Sequence, residues 1–345
     1  MNRIIDLRSD TVTQPTPQMR HAMAEAIVGD DVYGEDPTVR SLEDKAADLL
    51  ERPAGLFVPS GSMGNQIAVH LFTRPGTEVI GETQCHIFNF EMGAMSALSG
   101  ALPRPVTGSS GILNPKDVEK AIQPTTGYTT PTALLALENT HNLAGGRIIS
   151  PKRLDQLVGV GRKHGLPVHL DGARIFNAAV ALDVPPSRLA KGCDTVMFCL
   201  SKGLAAPVGS ILVGDEATIS EARRIRKLFG GGMRQAGIIA AGGLVALNTM
   251  MNRLGDDNRR AKQLAESLAE TPGIDIDPQL VDTNIVFFRL TSKSQTASAF
   301  AQSLSDAGIL IHALGDDAVR AVTHYHITDA DIDSTIKAVR AAMMP

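Results

Sequence analysis

A chain of 345 residues with 33 lysines and arginines against 37 aspartates and glutamates carries a formal net charge of −4, which favours neither nucleic acid nor an anionic membrane as a partner. Its composition, 43% hydrophobic and 20% charged, is ordinary for a globular enzyme, and its length allows a large core and about two or three domains. Cys85, Cys193 and Cys199 show no metal-like spacing, so reduced, partly buried thiols in a reducing cytoplasm are expected, with no metal site.

The first eight residues carry charge too early for a signal peptide. Residues 1–15 read as an extended arm. Thr16-Pro17 then opens a helix with an apolar face, closed by Gly29. Residues 30–36 form a polar loop, and Asp36-Pro37 repeats the cap-plus-proline signal. From residue 54 the pattern alternates strand and helix. Strands are expected over 55–58, 77–80, 102–106, 133–137, 167–171, 195–200 and 208–213. Helices are expected from about 60 to 72, 87 to 98, 114 to 122 and 150 to 164. Such alternation predicts an α/β fold with a mostly parallel, doubly wound sheet. A basic helix follows over 219–228, then three glycines at 230–232. One long helix is expected over about 233–269, with Gly255 as a point of interruption. Its run at 236–247, the longest apolar stretch, is too short to span a bilayer and reads as buried. Residues 283–345 read strand, helix, strand, strand, helix, a small α+β unit. The expected division is an arm at 1–15, a large domain at 16–250 and a small C-terminal domain at 251–345.

Two strand ends carry candidate chemistry. The apolar run 195–200 leads straight into Ser201-Lys202-Gly203. In an open parallel sheet ligands sit at the carboxyl ends of the strands, and a lysine desolvated there can form a Schiff base with a carbonyl. It can equally cap a strand end and reach for solvent. The strand at 167–171 ends in Asp171, followed by Arg174. An aspartate and a lysine at neighbouring strand ends suit pyridoxal phosphate, the lysine holding the aldehyde and the carboxylate pairing with the ring nitrogen. A helix N-cap is the other reading of Asp171. Ser60-Gly61-Ser62, between a strand and a helix, offers amides and hydroxyls suited to a phosphate. No GxGxxG fingerprint follows a strand, which argues against a dinucleotide.

The ordered set of motifs resembles the L-threonine aldolases of the low-specificity type, a family of fold-type I pyridoxal-phosphate enzymes. The matching pieces are Asp6-Leu7-Arg8-Ser9-Asp10-Thr11, Gly29-Asp30-Asp31-Val32-Tyr33-Gly34, Pro59-Ser60-Gly61-Ser62, His86-Ile87 and Leu137-Glu138-Asn139-Thr140-His141-Asn142. They continue with residues 169–178, Leu200-Ser201-Lys202-Gly203-Leu204, Gly230-Gly231-Gly232-Met233-Arg234-Gln235 and Arg320-Ala321-Val322-Thr323-His324.

The resemblance implies a transferase-like fold-type I architecture and cleavage of β-hydroxy-α-amino acids to glycine and an aldehyde. It implies that Lys202 holds the cofactor and Asp171 its ring nitrogen. Gly61, Ser62 and Ser201 would hold the phosphate, with Lys227 and Arg234 reaching it from a neighbouring subunit. His86 would stack on the ring and contact the substrate hydroxyl. Arg174, at the cofactor, and Arg320 and Ser9 would take the substrate carboxylate, while Tyr33 would line the site. Tyr128 stands where many relatives carry a histidine that assists at the substrate hydroxyl; a phenol can hydrogen-bond there but is a poor base at neutral pH. His141 reads either as a loop residue held by hydrogen bonds or as a substrate contact, and Arg8 as structural. The glycine-rich loop implies two-fold dimers with shared sites, commonly paired into homotetramers. A β-eliminating lyase or racemase of the same fold, and a nonenzymatic small-molecule binder, are the alternatives.

Overall fold

Helix starts follow the capping signals closely. In the computed structural model, which describes residues 3–292 and 295–344, the side chains of Thr16, Asp36, Ser60, Asn114, Ser150, Asp215, Thr296 and Thr328 each accept a backbone N–H of the first turn that follows. Residues 1, 2, 293, 294 and 345, which fall within the expected arm and C-terminal domain, lie outside the described residues.

The arm forms β1 (Ile5–Asp6). A central sheet is built from β2 (Ala54–Val58), β3 (Glu78–Glu82), β4 (Leu102–Val106), β5 (Thr132–Glu138), β6 (Val168–Asp171), β7 (Thr195–Cys199) and β8 (Ser210–Gly214). Its order is β2-β8-β7-β6-β5-β3-β4. Strand β8 runs against both neighbours, and every other adjacent pair is parallel. The sheet is therefore mostly parallel, as expected. Pro103 and Pro105 place β4 at the edge, because proline has no N–H to give a ladder. The inner strands β5, β6 and β7 are buried nearly throughout and read as apolar runs, as strands covered on both faces do.

A second sheet takes β9 (Ile274–Asp275), β10 (Ile285–Leu290), β12 (His312–Leu314) and β13 (Ala318–Val322) in the antiparallel order β12-β13-β10-β9. The second strand expected in the C-terminal unit divides. Its first part, β11 (Ile309–Leu310), leaves the sheet to pair in parallel with β1, Ile5 opposite Ile309. Leu7 is fully buried against this second core. The arm is thus stitched to the C-terminal part of the chain, and this draws the following residues, 9–13, over the end of the central sheet.

Three helices depart from their expected spans. The first ends at Ala24 rather than near Gly29; Ile27 is 74% exposed, so nothing holds the apolar face further on. The helix expected over 87–98 breaks into His86–Asn89 and Ala94–Ser99, because Met92 and Gly93 take left-handed φ values of 56° and 70°. The helix expected over 233–269 is two, Gly237–Thr249 and Leu254–Ala269, joined by a 3-10 turn. The break falls before Gly255, which sits inside the second helix's first turn while Leu254 enters the core.

Candidate active site

The carboxyl ends of β5, β6 and β7 lie side by side, Glu138 opposite Asp171 and Asp171 opposite Met197. A cavity of about 330 Å³ opens over them, the size of a small-molecule site. Of the expected residues it brings together Gly61, Ser62, His86, Asp171, Ser201 and Lys202. Lys202 follows β7 through a tight turn, its carbonyl accepting the Ala205 N–H at 2.8 Å and the Thr13 hydroxyl at 3.0 Å. No protein group among the described residues pairs with its Nζ.

At one end of the cavity, Ser60 caps the twelve-residue helix Gly61–Phe72. Its first turn presents the Gly61 and Ser62 amides and the Ser62 hydroxyl. A Cβ on Gly61 would lie 3.0 Å from Cys199 Sγ and 3.3 Å from Met197 Cε, so the side of residue 61 that faces the sheet is already full. Such a helix start attracts an anion.

Asp171 is buried. Its Oδ2 accepts Asn65 Nδ2 at 2.8 Å and its Oδ1 the Ala173 N–H at 3.1 Å. A carboxylate offers about four lone-pair sites, so each oxygen keeps one for a further donor. Asn65 is held in turn by His169. Burial pushes the His169 imidazole down to about 4, against the pull of the Asp171 charge, and the ring is neutral at pH 7. With Asn65 Nδ2 committed as donor, its Oδ1 must accept, so His169 donates from Nε2 at 3.0 Å. His169 Nδ1 then accepts the Thr195 hydroxyl at 2.9 Å. These protonation states are assigned from the partners' chemistry.

His86 begins the short helix at residue 86. Its backbone N–H donates to Glu138 at 2.6 Å, and its Nδ1 lies 2.8 Å from Glu91 Oε1. Burial alone would lower the His86 imidazole, but the Glu91 hydrogen bond and the Asp171 and Glu91 charges outweigh it and raise it above its usual range. His86, Glu91 and Asp171 bring ligand atoms within 4.8 Å of one another. The amide of Asn65 points one N–H at each of the two acids, so this is a hydrogen-bonded cluster rather than a set of donors open to a cation.

On the arm side, Arg174 is buried and gives its Nε and Nη2 to the two oxygens of Asp10, both at 2.7 Å. Burial alone would raise the Asp10 carboxyl; the Arg174 charge and bonds, with Lys202 adding, hold it at about 2. The Nε/Nη2 edge of Arg174 is therefore taken by Asp10, while its Nη1/Nη2 edge keeps donors to give. Arg320, half-buried on β13, differs. It has weak contacts to Asn142 Oδ1 at 3.3 Å and the Arg8 carbonyl at 3.4 Å, and its buried Nε has no partner. No acid pairs with it among the described residues. Burial and the neighbouring Arg174 charge lower its pKa. Ser9 caps the turn Asp10–Val12, its Oγ accepting from Thr11 N and Thr11 Oγ1 and keeping its own hydrogen to give.

Besides Ser9, Arg174 and Arg320, four further expected residues do not line this cavity. Tyr33 is 74% exposed, at the end of a single 3-10 turn. Tyr128 is fully exposed on the connection into β5, so neither tyrosine lines the site within the chain. Lys227 and Arg234 are exposed as well. Arg234 pairs with Asp30 at 2.9 Å, while buried Arg226 pairs with Asp31 at 2.6 Å. The segments at 30–34 and 226–234 are thereby clamped together on one surface. His141 is buried, bonded to Glu82 at 3.0 Å and accepting the Ala144 N–H; it holds a loop. Arg8 pairs with Asp6 at the surface.

Thr11, Thr13 and Asn65 line the cavity without having been singled out, and Glu91 lies behind His86. Thr11 belongs to the 6–11 motif and Asn65 to the first turns of the phosphate helix, so both were within reach of the sequence. Glu91 carried no local signal.

The β-eliminating lyase family matches residues 6–292. Low-specificity L-threonine aldolase 1 of Arabidopsis thaliana is 43% identical over 99% of this chain and 97% of its own length. Low specificity L-threonine aldolase of Escherichia coli K12 is 41% identical over 94% of this chain and 95% of its own. The solved structure of Leishmania major threonine aldolase superposes with a TM-score of 0.85 at 21% identity, covering 99% of this chain and all of that one, a likeness of fold.

Proposed function

From a chain that belongs to the β-eliminating lyase family and aligns along nearly its whole length with low-specificity L-threonine aldolases, we infer a carbon–carbon lyase acting on L-threonine, L-allo-threonine and related β-hydroxy-α-amino acids. The products are glycine and an aldehyde, acetaldehyde from threonine. Its cofactor is pyridoxal 5′-phosphate. The observation that carries the reading is the meeting of Lys202, Asp171 and the serine-capped helix start in one cavity, with Arg320, whose buried Nε has no partner among the described residues, in electrostatic reach of the Arg174–Asp10 pair.

The donor set fits the cofactor. Lys202 Nζ would hold its aldehyde carbon, Asp171 its ring N–H, and Gly61, Ser62 and Ser201 its phosphate, with Arg174 Nη1 nearby. When bound, the cofactor supplies an electron sink for the pair left by bond cleavage. The chain's own residues do the rest. Arg320 binds the substrate carboxylate by charge, with the Ser9 hydroxyl as a further donor. This anchors the substrate so that the β-hydroxyl faces His86. His86 Nε2 takes the hydroxyl proton as the Cα–Cβ bond breaks and the C=O of the aldehyde forms. The bond's electrons stay with Cα, which is then protonated to give glycine. Tyr128, remote and exposed, takes no part within the subunit.

Lys227, Arg234 and Tyr33 complete a partner subunit's cavity in this reading, from a clamped, exposed surface. We assign a homotetramer of two such dimers, working in the cytoplasm. Three free buried cysteines suit a reducing compartment, and among the described residues no helix is long and apolar enough to cross a membrane.

The test is a visible spectrum of the purified protein before and after glycine, followed by product analysis with L-threonine. A coloured protein that responds to glycine and releases acetaldehyde is expected. Ammonia and a keto acid without acetaldehyde would indicate an eliminase, and no chromophore would indicate a nonenzymatic binder.

A further inference from the structure

Glu91 sits at the break between the helices His86–Asn89 and Ala94–Ser99 in an inverted arrangement. The acid is 4% exposed while the apolar Met92 beside it is 97% exposed. Burying a carboxylate is costly unless its lone pairs are met. Here Oε1 accepts Asn65 Nδ2 at 2.7 Å and His86 Nδ1 at 2.8 Å, and Oε2 accepts Gln66 Nε2. Neither lysine nor arginine pairs with it among the described residues. The one partner able to become cationic is His86.

We propose that Glu91 is a positioning residue for the proposed aldol cleavage: its carboxylate takes the Nδ1–H of His86 and so leaves Nε2 as the ring nitrogen that exchanges a proton with the substrate. A lone ring could carry its hydrogen on either nitrogen. Beside Glu91 only the Nδ1–H form makes a bond, and Nε2 has no protein partner among the described residues. The same carboxylate stabilises the imidazolium that forms when Nε2 picks up the proton, making His86 a stronger base. The other charged groups around the ring are Asp171, which acts in the same direction, and Lys202, which opposes both; Glu138 holds the His86 backbone N–H. Asn65 ties Glu91 to Asp171 through one amide, so the acid that holds the histidine and the acid expected at the cofactor share a single orienting group.

This inference rests on the aldolase reading for its chemistry but not for the coupling of Glu91 to His86, so the two can be tested apart. Glu91→Gln is the decisive variant. Its Oε1 can still accept from Asn65 and His86. Its new Nε2 would meet Gln66 Nε2, but Gln66 Oε1 is buried without a partner, so a flip of that amide restores a bond. The geometry is kept and the charge is removed. In cofactor-free protein, the rate of His86 modification by diethyl pyrocarbonate is followed against pH by peptide mass mapping, since only the neutral ring reacts. In E91Q the midpoint should move down by about one pH unit or more. In E91D, where the carboxylate is retained, it should stay nearer the wild type.

In the holoenzyme, the acid limb of kcat/KM for L-threonine should move down with it. The turnover plateau should fall by about tenfold to a hundredfold, within what acid–base catalysis contributes. KM and the colour response to glycine should hold. In a His86→Gln background the E91Q change should cost nothing further. A His86 midpoint unmoved in E91Q, or moved equally in E91D and E91Q, overturns the proposal. So does a full E91Q effect in the His86→Gln background. A wild type that releases no acetaldehyde would defeat the aldolase reading, while the modification experiment would still decide the pairing.

Discussion

Asp10→Asn tests how the N-terminal arm is held over the site. Asp10 is fully buried and takes both prongs of Arg174, with Asn284 Nδ2 adding a third bond at 3.2 Å. Its carboxyl falls from the ordinary 3.8 to about 2. At about 1.36 kcal/mol for each pKa unit, that fall corresponds to roughly 2 kcal/mol of stability from ionisation alone. The folded pKa is depressed, so this contribution is present above the unfolded pKa near 4. It is lost as pH falls through the folded value near 2. The asparagine variant also leaves the buried Arg174 charge without a counter-ion, for which about 3–5 kcal/mol is the usual cost. The denaturation midpoint of D10N at pH 7 should therefore lie well below that of the wild type. The gap should narrow as the pH is taken from about 5 towards 3, where the wild-type carboxyl begins to protonate. The assay is denaturant unfolding of both proteins across that range, read by fluorescence of the three tyrosines and by circular dichroism. A D10N midpoint equal to the wild type at pH 7, or a gap that widens in acid, would refute the reasoning.

Lys202→Ala should abolish turnover, and borohydride should no longer link cofactor to chain; a reducible adduct at full level would move the attachment to another lysine. Arg320→Ala should weaken amino-acid substrates by about 2–5 kcal/mol, because a charge-assisted pair loses one side. A Michaelis constant and turnover that both hold steady would remove it from the substrate site. Lys202→Ala and Arg234→Ala, each inactive alone, should recover up to about a quarter of wild-type activity when dissociated and reassembled together, since one site of a two-fold mixed dimer inherits neither lesion. Activity left at the parents' level after confirmed exchange would make Arg234 serve its own chain.

Local patterns in the sequence were enough for the strand–helix alternation, because caps and apolar periods act within a few residues: Asp36-Pro37, Ser150-Pro151 and Thr328 each start a helix where expected. The same locality made Asp171 and Lys202 legible, since a polar residue closing an apolar strand in a parallel sheet has only one end to occupy. The sequence was silent where the outcome depends on which distant groups meet. Nothing near Arg174 in the sequence pointed to Asp10, 164 residues earlier, which takes its Nε and Nη2. The arm looked merely extended until β1 paired with β11, a partner that no run of five residues could specify. Tyr33 and Tyr128 were placed by motif order, yet exposure is decided by the packing around them. Glu91 shows the difference most clearly. By residue type Met92 reads as inward and an acid as outward, and the structure has the reverse. Only the tertiary structure supplies Asn65, Gln66 and His86, whose donors meet the lone pairs of the buried carboxylate.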